Sequence, residues 1–341
     1  MTIQNRRVVM RQHPQGEVGA GDFEMQSAAL PGLSDGDILV RNLYLSLDPY
    51  MRLRMRPGRS YQPPMQVGDI MPAQTVGEVI ESRAASVPKG ALVVARAGWQ
   101  DYAAVPAASV RVIDAALGPV STALGVLGMP GVTAHYGLLH LGRPKPGQTV
   151  VVSAASGAVG SIVGQIAKLK GCRAVGIAGG EKKCRYVVEE LGFDACVDYR
   201  SPDFQKQLEA ATPDRVDVDF ENVGGMVMDA VLSRLNDYAR VVLCGVISDY
   251  EAPIQDGARN AATNGVTRVR ELLVNRASLQ AFIISEHPEH WAPAFADLAQ
   301  WLKEGKIKYR EDIAQGLENA PAAFMKMLKG GNFGKQLVKL Q

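Results

Sequence analysis

Cysteine is scarce in this chain and unevenly placed. There are four, Cys172, Cys184, Cys196 and Cys244, and none precedes residue 172. No two form a C-x-x-C pair, so their spacing suits neither a disulfide framework nor a closed zinc site, and free thiols are expected. The histidines (His13, His135, His140, His287, His290) are scattered. His135 and His140 stand five apart, a poor spacing for one helical face, and no cysteine or carboxylate cluster joins His287 and His290. No metal site is expected.

Other absences narrow the class further. No apolar run approaches the roughly 20 residues needed to cross a bilayer. The opening MTIQNRRVVMRQHPQGEV carries charges but no apolar h-region, so no secretory signal is read and a cytoplasmic location is expected. A net charge of +2 gives no general reason for nucleic-acid or membrane partners. Internal repeats and low-complexity segments are missing. No G-x-S-x-G elbow surrounds Ser153 or Ser156 and no Walker lysine follows the nearby glycines, so hydrolase and phosphoryl-transfer chemistries lose their support.

What remains is an ordinary globular composition, 341 residues with 47% hydrophobic and 21% charged, long enough for two domains. Up to about residue 125, short alternating apolar runs (37–43, 75–80, 91–95, 109–113) are broken by Gly, Pro and Asp, which reads as a mainly β domain. Residues 129–147, MPGVTAHYGLLHLGRPKPG, read as a Pro-started helix running into a Gly/Pro-rich connection. From Thr149 strands and helices alternate. Strands are predicted at 149–153, 173–177, 195–198, 216–220, 240–244 and 279–284, with helices starting near Gly160, Glu181, Asp203, Met226 and His290. Such alternation implies βαβ crossovers and a doubly wound parallel sheet, an α/β fold. The end of the chain, 335–340, alternates as a terminal strand.

The stretch 149–171, TVVVSAASGAVGSIVGQIAKLKG, takes a β-branched run through a small-residue turn into an amphipathic helix. Ala155, Gly157 and Gly160 stand where a G-x-G-x-x-G fingerprint has its glycines, letting backbone N–H groups approach a pyrophosphate. The plainer reading is a strand-to-helix turn that merely packs tightly. At the next junction RAVGI runs into AGGEKKCRY. Ala178, Gly179 and Gly180 replace the acidic residue that usually binds a ribose 2′-OH, and Lys182, Lys183 and Arg185 follow, a set that suits a 2′-phosphate and hence NADP(H). Glu181 is the contrary residue, and a solvated first helical turn is the plainer reading. Two more junctions, with Asn222, Gly224 and Gly225 and with Cys244, Gly245 and Ser248, fall beyond strand ends and line the same crevice if the sheet is doubly wound. Tyr50 and Arg52 follow an alternating strand beside Pro49. A tyrosine is protonated at neutral pH and can donate to a developing oxyanion, although packing is the commoner role for such a residue.

With these residues set out, the chain resembles the zinc-independent medium-chain dehydrogenases/reductases. Within them it is most similar to the branch of prostaglandin/leukotriene reductases, plant alkenal double-bond reductases and bacterial curcumin reductases. LSLDPYMR (45–52), GMPGVTAHYGL (128–138), AASGAVGSIVGQIAKLKGC (154–172), ENVGG (221–225) and LKGGNFGK (328–335) carry the resemblance over nearly the whole chain. It implies a GroES-like catalytic domain, 1–125 with 312–341, around a Rossmann NADP(H)-binding domain, 126–311. It implies NADPH-dependent reduction of the C=C bond of a small hydrophobic enone or enal, and a homodimer formed partly by sheet pairing. Gly157, Ala158, Val159 and Gly160 would face the pyrophosphate, and Lys183, with Lys182 beside it, and Tyr199 the 2′-phosphate. Asn222, Cys244, Gly245, Ser248 and Tyr250 would line the cofactor together with Phe282, Ile283 and Ile284, and Asn332 would approach the nicotinamide end.

Zinc-dependent relatives carry G-H-E and a cysteine ligand in the first domain, and this chain has neither. Some prostaglandin-reducing relatives also carry a tyrosine shortly before the strand at 279–284. Val274 stands at that point here, which speaks against an eicosanoid substrate and leaves enone reduction intact. The oxyanion donor stays open between Tyr50, Tyr250 and a cofactor ribose hydroxyl. Loops 56–65 and 251–267 are expected to shape the substrate pocket. A quinone reductase on the same fold and a non-catalytic NADPH-binding protein are the rival readings.

Overall fold

The computed structural model describes residues 4–58, 60–251, 254–255, 258–259 and 266–340. The chain divides into two compact units, one of residues 1–124 with 311–341 and one of residues 125–310.

The first unit is β-rich. Strands β1 (Gln4–Met10) and β2 (Phe23–Ala29) pair antiparallel. A seven-stranded sheet contains β3 (Asp37–Ser46), β4 (Thr75–Ser82), β5 (Leu92–Ala95) and β7 (Arg111–Val112), with β6 (Tyr102–Pro106) paired to β3. The strands Glu311–Gln315 and Lys335–Lys339 complete it from the far end of the sequence, the latter antiparallel to β3. A short helix, α1 (Tyr50–Arg54), follows β3. Fully buried Trp99 anchors this core, stacked on Phe23 at 5.7 Å and edge-on to Phe324 at 5.6 Å. Such aromatic pairs add to the stabilisation that burial alone gives.

The second unit is the doubly wound sheet. Six parallel strands lie in the order β10 (Ala195–Asp198), β9 (Arg173–Ala178), β8 (Thr149–Ser153), β11 (Val216–Glu221), β12 (Leu235–Leu243) and the edge strand Ser278–Ala281. The connecting helices include α2 (Met129–Tyr136), α3 (Gly160–Leu169), α4 (Glu181–Glu189), α5 (Phe204–Ala211) and α6 (Gly225–Leu232). In chain order the sheet reads third, second, first, fourth, fifth, sixth. Its winding therefore reverses between β8 and β11, and a crevice opens there beyond the strand ends. Val150, Val151 and Val152 are wholly buried, as a central strand covered on both faces requires.

Three elements depart from the sequence reading. β12 begins at Leu235 rather than at residue 240, because LNDYA carries polar residues and a left-handed Tyr238 (φ 62°) that break the apolar run. The edge strand stops at Ala281 rather than at 284. The Phe282 ring packs 5.4 Å from Tyr136 and against the position of Gly137. The helix after Met129 changes to a π-helical turn over Gly137–Gly142 and stops at Arg143, which is left-handed.

The histidines that look scattered in sequence are partly gathered by the fold. His140, His287 and His290 surround Tyr136 with ring centroids 5.0, 4.5 and 4.8 Å away. They form an aromatic cluster. Among the described residues no three His, Cys, Asp or Glu side chains meet in a way that could hold a metal.

Candidate active site

The point where the sheet reverses is marked by a buried polar network. Ser153 ends β8 and Glu221 ends β11, and both are wholly buried. Ser153 Oγ donates to Glu221 Oε1 (2.7 Å) and accepts from the Asn222 amide (2.7 Å), while Asn222 Nδ2 donates to the Ser153 carbonyl (2.8 Å). The same Glu221 oxygen accepts from the amides of Val223 and Gly224, and the Glu221 carbonyl accepts from those of Cys244 and Gly245. Glu221 thus fixes the ENVGG turn and the end of β8 through its carboxyl and the LCG turn through its backbone carbonyl. Burial raises its affinity for a proton, and the bonds from Gly224, Val223 and Ser153 oppose that. Sequence reading found Asn222 but missed Ser153 and Glu221 as the residues that place it.

The fingerprint turn is as tight as its composition suggests. Ala154 adopts φ 51°, a left-handed conformation usually left to glycine, and its carbonyl accepts from the Gly157 amide at 2.9 Å. A Cβ on Gly160 would sit 2.5 Å from that carbonyl oxygen. The turn through Gly157, Ala158, Val159 and Gly160 therefore lies flush against the strand end, with the N-terminus of α3 opening on it. A helix N-terminus approached by small residues is the donor set an anionic diphosphate needs.

The junction after β9 carries the cationic part. Asp198 Oδ1 accepts from the amides of Gly180 (2.9 Å) and Arg200 (3.0 Å), which holds the Gly179–Gly180 turn against the end of β10. A Cβ on Gly179 would stand 3.0 Å from Tyr199 Oη and 3.1 Å from Arg200 Nε, so Tyr199, Arg200 and the turn are in one place. The Arg200 guanidinium lies 5.6 Å from the Tyr199 ring centroid. Lys183 lies in the first turn of α4, its amide bonded to the Gly180 carbonyl. Glu181 is turned to Arg185 (2.6 Å) in an exposed i,i+4 pair, which blunts its claim as a ribose ligand. Arg200 is a basic residue that sequence reading missed; its position directly after Tyr199 was the available signal. These residues fit an NADP(H) adenosine end, with Gly157 to Gly160 on the diphosphate side.

Ser248, Cys244 and Gly245 fall on the turn after β12. Ser248 Oγ donates to the Val223 carbonyl at 2.6 Å, and burial beside Glu221 pushes the Cys244 thiol up to about 12. Tyr250 Oη accepts from the Val246 amide at 3.5 Å, so its hydroxyl lies over the same turn. Phe282, Ile283 and Ile284 follow the end of the edge strand. There the Phe282 ring and the buried Ile284 side chain belong to the core, which leaves their backbone as the part beyond the sheet. Within the loop 251–267, residues 252–253, 256–257 and 260–265 lie outside the described residues.

In the first unit the two motifs from opposite ends of the chain are joined by a buried ion pair. Lys335 Nζ donates to Asp48 Oδ1 (2.7 Å) and to the Leu47 carbonyl (2.8 Å), with the two side chains 5% and 8% exposed. Ser46 Oγ donates to the other Asp48 oxygen. LDPYMR and NFGK are therefore one structural unit. Asn332 Nδ2 donates to the Gly334 carbonyl (2.8 Å), and the Phe333 amide to Asp312 (3.0 Å), which shapes the loop before Lys335. Tyr50 stands at the start of α1, two residues after Asp48. Burial, and next the Asp48 charge, push its hydroxyl well above the usual tyrosine range, so it stays protonated. Arg52 is buried with Nη2 on the Gly16 carbonyl at 2.6 Å, a structural placement.

Comparison with known proteins finds two family matches along the chain. Residues 6–113 match the N-terminal domain of oxidoreductase family, and residues 158–301 match the zinc-binding dehydrogenase family. The chain is 45% identical to the NADPH-dependent curcumin reductase of Escherichia coli, over 98% of this chain and 97% of that protein. It is 38% identical to prostaglandin reductase 1 of Rattus norvegicus, over 99% of each. The crystal structure of CurA from Vibrio vulnificus in complex with NADPH superposes with a TM-score of 0.92 at 45% identity, covering 98% of this chain and 99% of that one. Fold, glycine turns and full-length similarity agree: the chain belongs to the medium-chain dehydrogenases/reductases, in the branch of the curcumin, prostaglandin and 2-alkenal reductases.

Proposed function

We propose that this protein reduces the C=C bond of α,β-unsaturated ketones or aldehydes with NADPH. The observation that carries this reading is similarity over nearly the whole chain to reductases named for NADPH and for enone or enal substrates, at 37–45% identity. The sheet reversal supports it with a site whose residues fit the cofactor. Gly157, Ala158, Val159 and Gly160 hold the diphosphate, and Lys183, Tyr199 and Arg200 the 2′-phosphate. Asn222, Cys244, Gly245, Ser248 and Tyr250, with the backbone at Phe282, Ile283 and Ile284, line the remainder, and Asn332 serves the nicotinamide end. Bound NADPH supplies the hydride that adds at the substrate β-carbon.

The protein's own task is then electrostatic. Addition at the β-carbon places negative charge on the carbonyl oxygen, and a donor aimed there lowers the barrier. Tyr50 and Tyr250 are the side chains with a hydroxyl to offer. The environment of Tyr50 keeps it protonated, as a donor must be. The α-carbon takes its proton from water or from a hydroxyl in the site.

The chain also acts as a homodimer in this reading. The edge strand Ser278–Ala281 is exposed along its length, and Leu273, Val274 and Leu279 beside or within it are 80%, 49% and 40% exposed. An uncovered edge flanked by apolar side chains favours pairing with a second copy. The function is tested by NADPH oxidation against alkenones of graded chain length, with products identified. Consumption of NADPH with a quinone but with no alkenone would overturn it.

A further inference from the structure

Two of the four cysteines meet in a place the reaction does not use. Cys184 lies in the first turn of α4 and Cys196 in the facing strand β10, both half-buried, and each thiol shifts the other's affinity for its proton. Room for this comes from Gly176, the register partner of Cys196 in β9. Where a Gly176 side chain would start, the nearest atoms include Val187 Cγ1 of α4 at 2.9 Å and Cys196 Sγ at 3.3 Å. Val187 is one helical turn beyond Cys184 and shares its face. Both sulfurs therefore lie between α4 and the sheet. Cys172 is engaged elsewhere, with Sγ on the Lys145 carbonyl, and Cys244 lies on the turn after β12.

The pair is chemically asymmetric. Cys196, and more weakly the Ala178 backbone, lower the affinity of the Cys184 thiol for its proton, while burial and the Asp198 charge oppose them. Cys184, and after it burial, push the Cys196 thiol up. The N-terminus of α4 adds positive potential at Cys184, the setting in which a thiolate is reactive, and Asp198 is the charge that opposes it.

We propose that Cys184 and Cys196 form a reversible disulfide on exposure to a peroxide and that this bond lowers affinity for NADPH. The Cys184 thiolate attacks one peroxide oxygen and becomes a sulfenic acid as the other oxygen leaves and is protonated to water. The Cys196 sulfur then attacks the sulfenic sulfur and the hydroxyl leaves as a second water. In sum two thiols lose two electrons and two protons to one hydrogen peroxide, giving one disulfide and two waters. A dithiol reductant reverses it.

The effect on the cofactor follows from position. A disulfide holds its sulfurs about 2.05 Å apart, well inside van der Waals contact, so forming it draws the first turn of α4 toward β10. Lys183 precedes Cys184, the Cys184 amide is bonded to the Gly180 carbonyl, and Tyr199 lies three residues beyond Cys196. The move therefore disturbs the residues assigned to the 2′-phosphate. This last step rests on the cofactor assignment made above; the disulfide itself does not.

The test uses the full-length protein, treated with graded hydrogen peroxide, quenched with N-ethylmaleimide and digested without reduction. The proposal expects loss of two thiols per chain and a peptide linking Cys184 to Cys196, both reversed by dithiothreitol and absent in Cys184→Ser. It also expects NADPH to bind about tenfold more weakly to the oxidised form, the loss of one charge-assisted hydrogen bond, with NADH little affected. Oxidation of Cys184 without the cross-link, or a cross-link between other cysteines, overturns the proposal. A Cys184–Cys196 link with unchanged NADPH affinity overturns the coupling. If the reduced protein fails to bind NADPH, the cofactor assignment falls and the coupling with it, while the linked peptide still scores the disulfide on its own.

Discussion

Asp219 sits in the middle of β11 with both carboxylate oxygens buried and without a hydrogen-bond partner. Its strand neighbours in register are Val151 and Val241. Burial, and next the charge of Glu221, raise its proton affinity well above the usual 3.8. The folded state therefore holds this proton more tightly than the unfolded chain. Its contribution to stability is fullest below about pH 4 and is lost as pH rises through the folded value. Asp219→Asn removes the ionisation and keeps the shape. The variant should be more stable than the parent at pH 8, by about 1–3 kcal/mol, because the parent must keep a buried carboxyl protonated that ionises freely in the unfolded chain. The gap should narrow toward pH 4, as denaturant midpoints across that range will show. A variant less stable than the parent at every pH contradicts this reading. Tyr50 is the second residue with a consequence of its own. If its hydroxyl donates to the developing oxyanion, Tyr50→Phe should cut turnover roughly 10²-fold or more with NADPH affinity kept. Because Tyr50 resists ionisation, the alkaline limb of the pH–rate profile should not report it. Unchanged turnover moves the role to Tyr250 or to the cofactor ribose.

At the level of elements, the turn between β8 and α3 bears the most weight. Gly160 has no room for a side chain, since a Cβ would press on the Ala154 carbonyl that already closes the turn. Gly160→Ala must displace backbone, at a cost of about 1–3 kcal/mol in stability. It should also weaken NADPH binding, read together by a denaturant midpoint and a fluorescence titration. Wild-type values in both would show that the turn is not held as tightly as described. This turn, the parallel strands and most helices were legible in the sequence because local composition dictates them. β1 and β2 were not, since NRRVVM and FEMQSAA mix charged and apolar residues without clean alternation. The start of β12 was hidden by Tyr238, whose left-handed backbone interrupts the pattern. The partners of Asn222 escaped for another reason. Glu221 is 68 residues from Ser153, and only the sheet order brings the two strand ends together.

At the scale of the whole molecule, distance along the chain decides what could be read. The motifs LDPYMR and NFGK stand out separately, but the ion pair that joins them links Asp48 to Lys335 across 287 residues. No local pattern announces that contact. The two thiols of α4 and β10 illustrate the same limit. The mainly β opening and the doubly wound second half were legible because each repeats its own rhythm over a hundred residues or so. The exposed edge strand makes a prediction at this scale. Light scattering should return the mass of a dimer, and Leu273→Asp with Leu279→Lys should shift it to the mass of one chain; a wild-type monomer contradicts the dimer.

The central claim is that hydride goes to carbon and not to the carbonyl. It is tested most directly by incubating the protein with NADPH deuterated at the transferred position and an alkenone, then locating the label by NMR. The account predicts a saturated ketone with deuterium on the β-carbon and a solvent proton on the α-carbon. An allylic alcohol labelled at the carbinol carbon, or NADPH left unconsumed across the alkenone series, would contradict it.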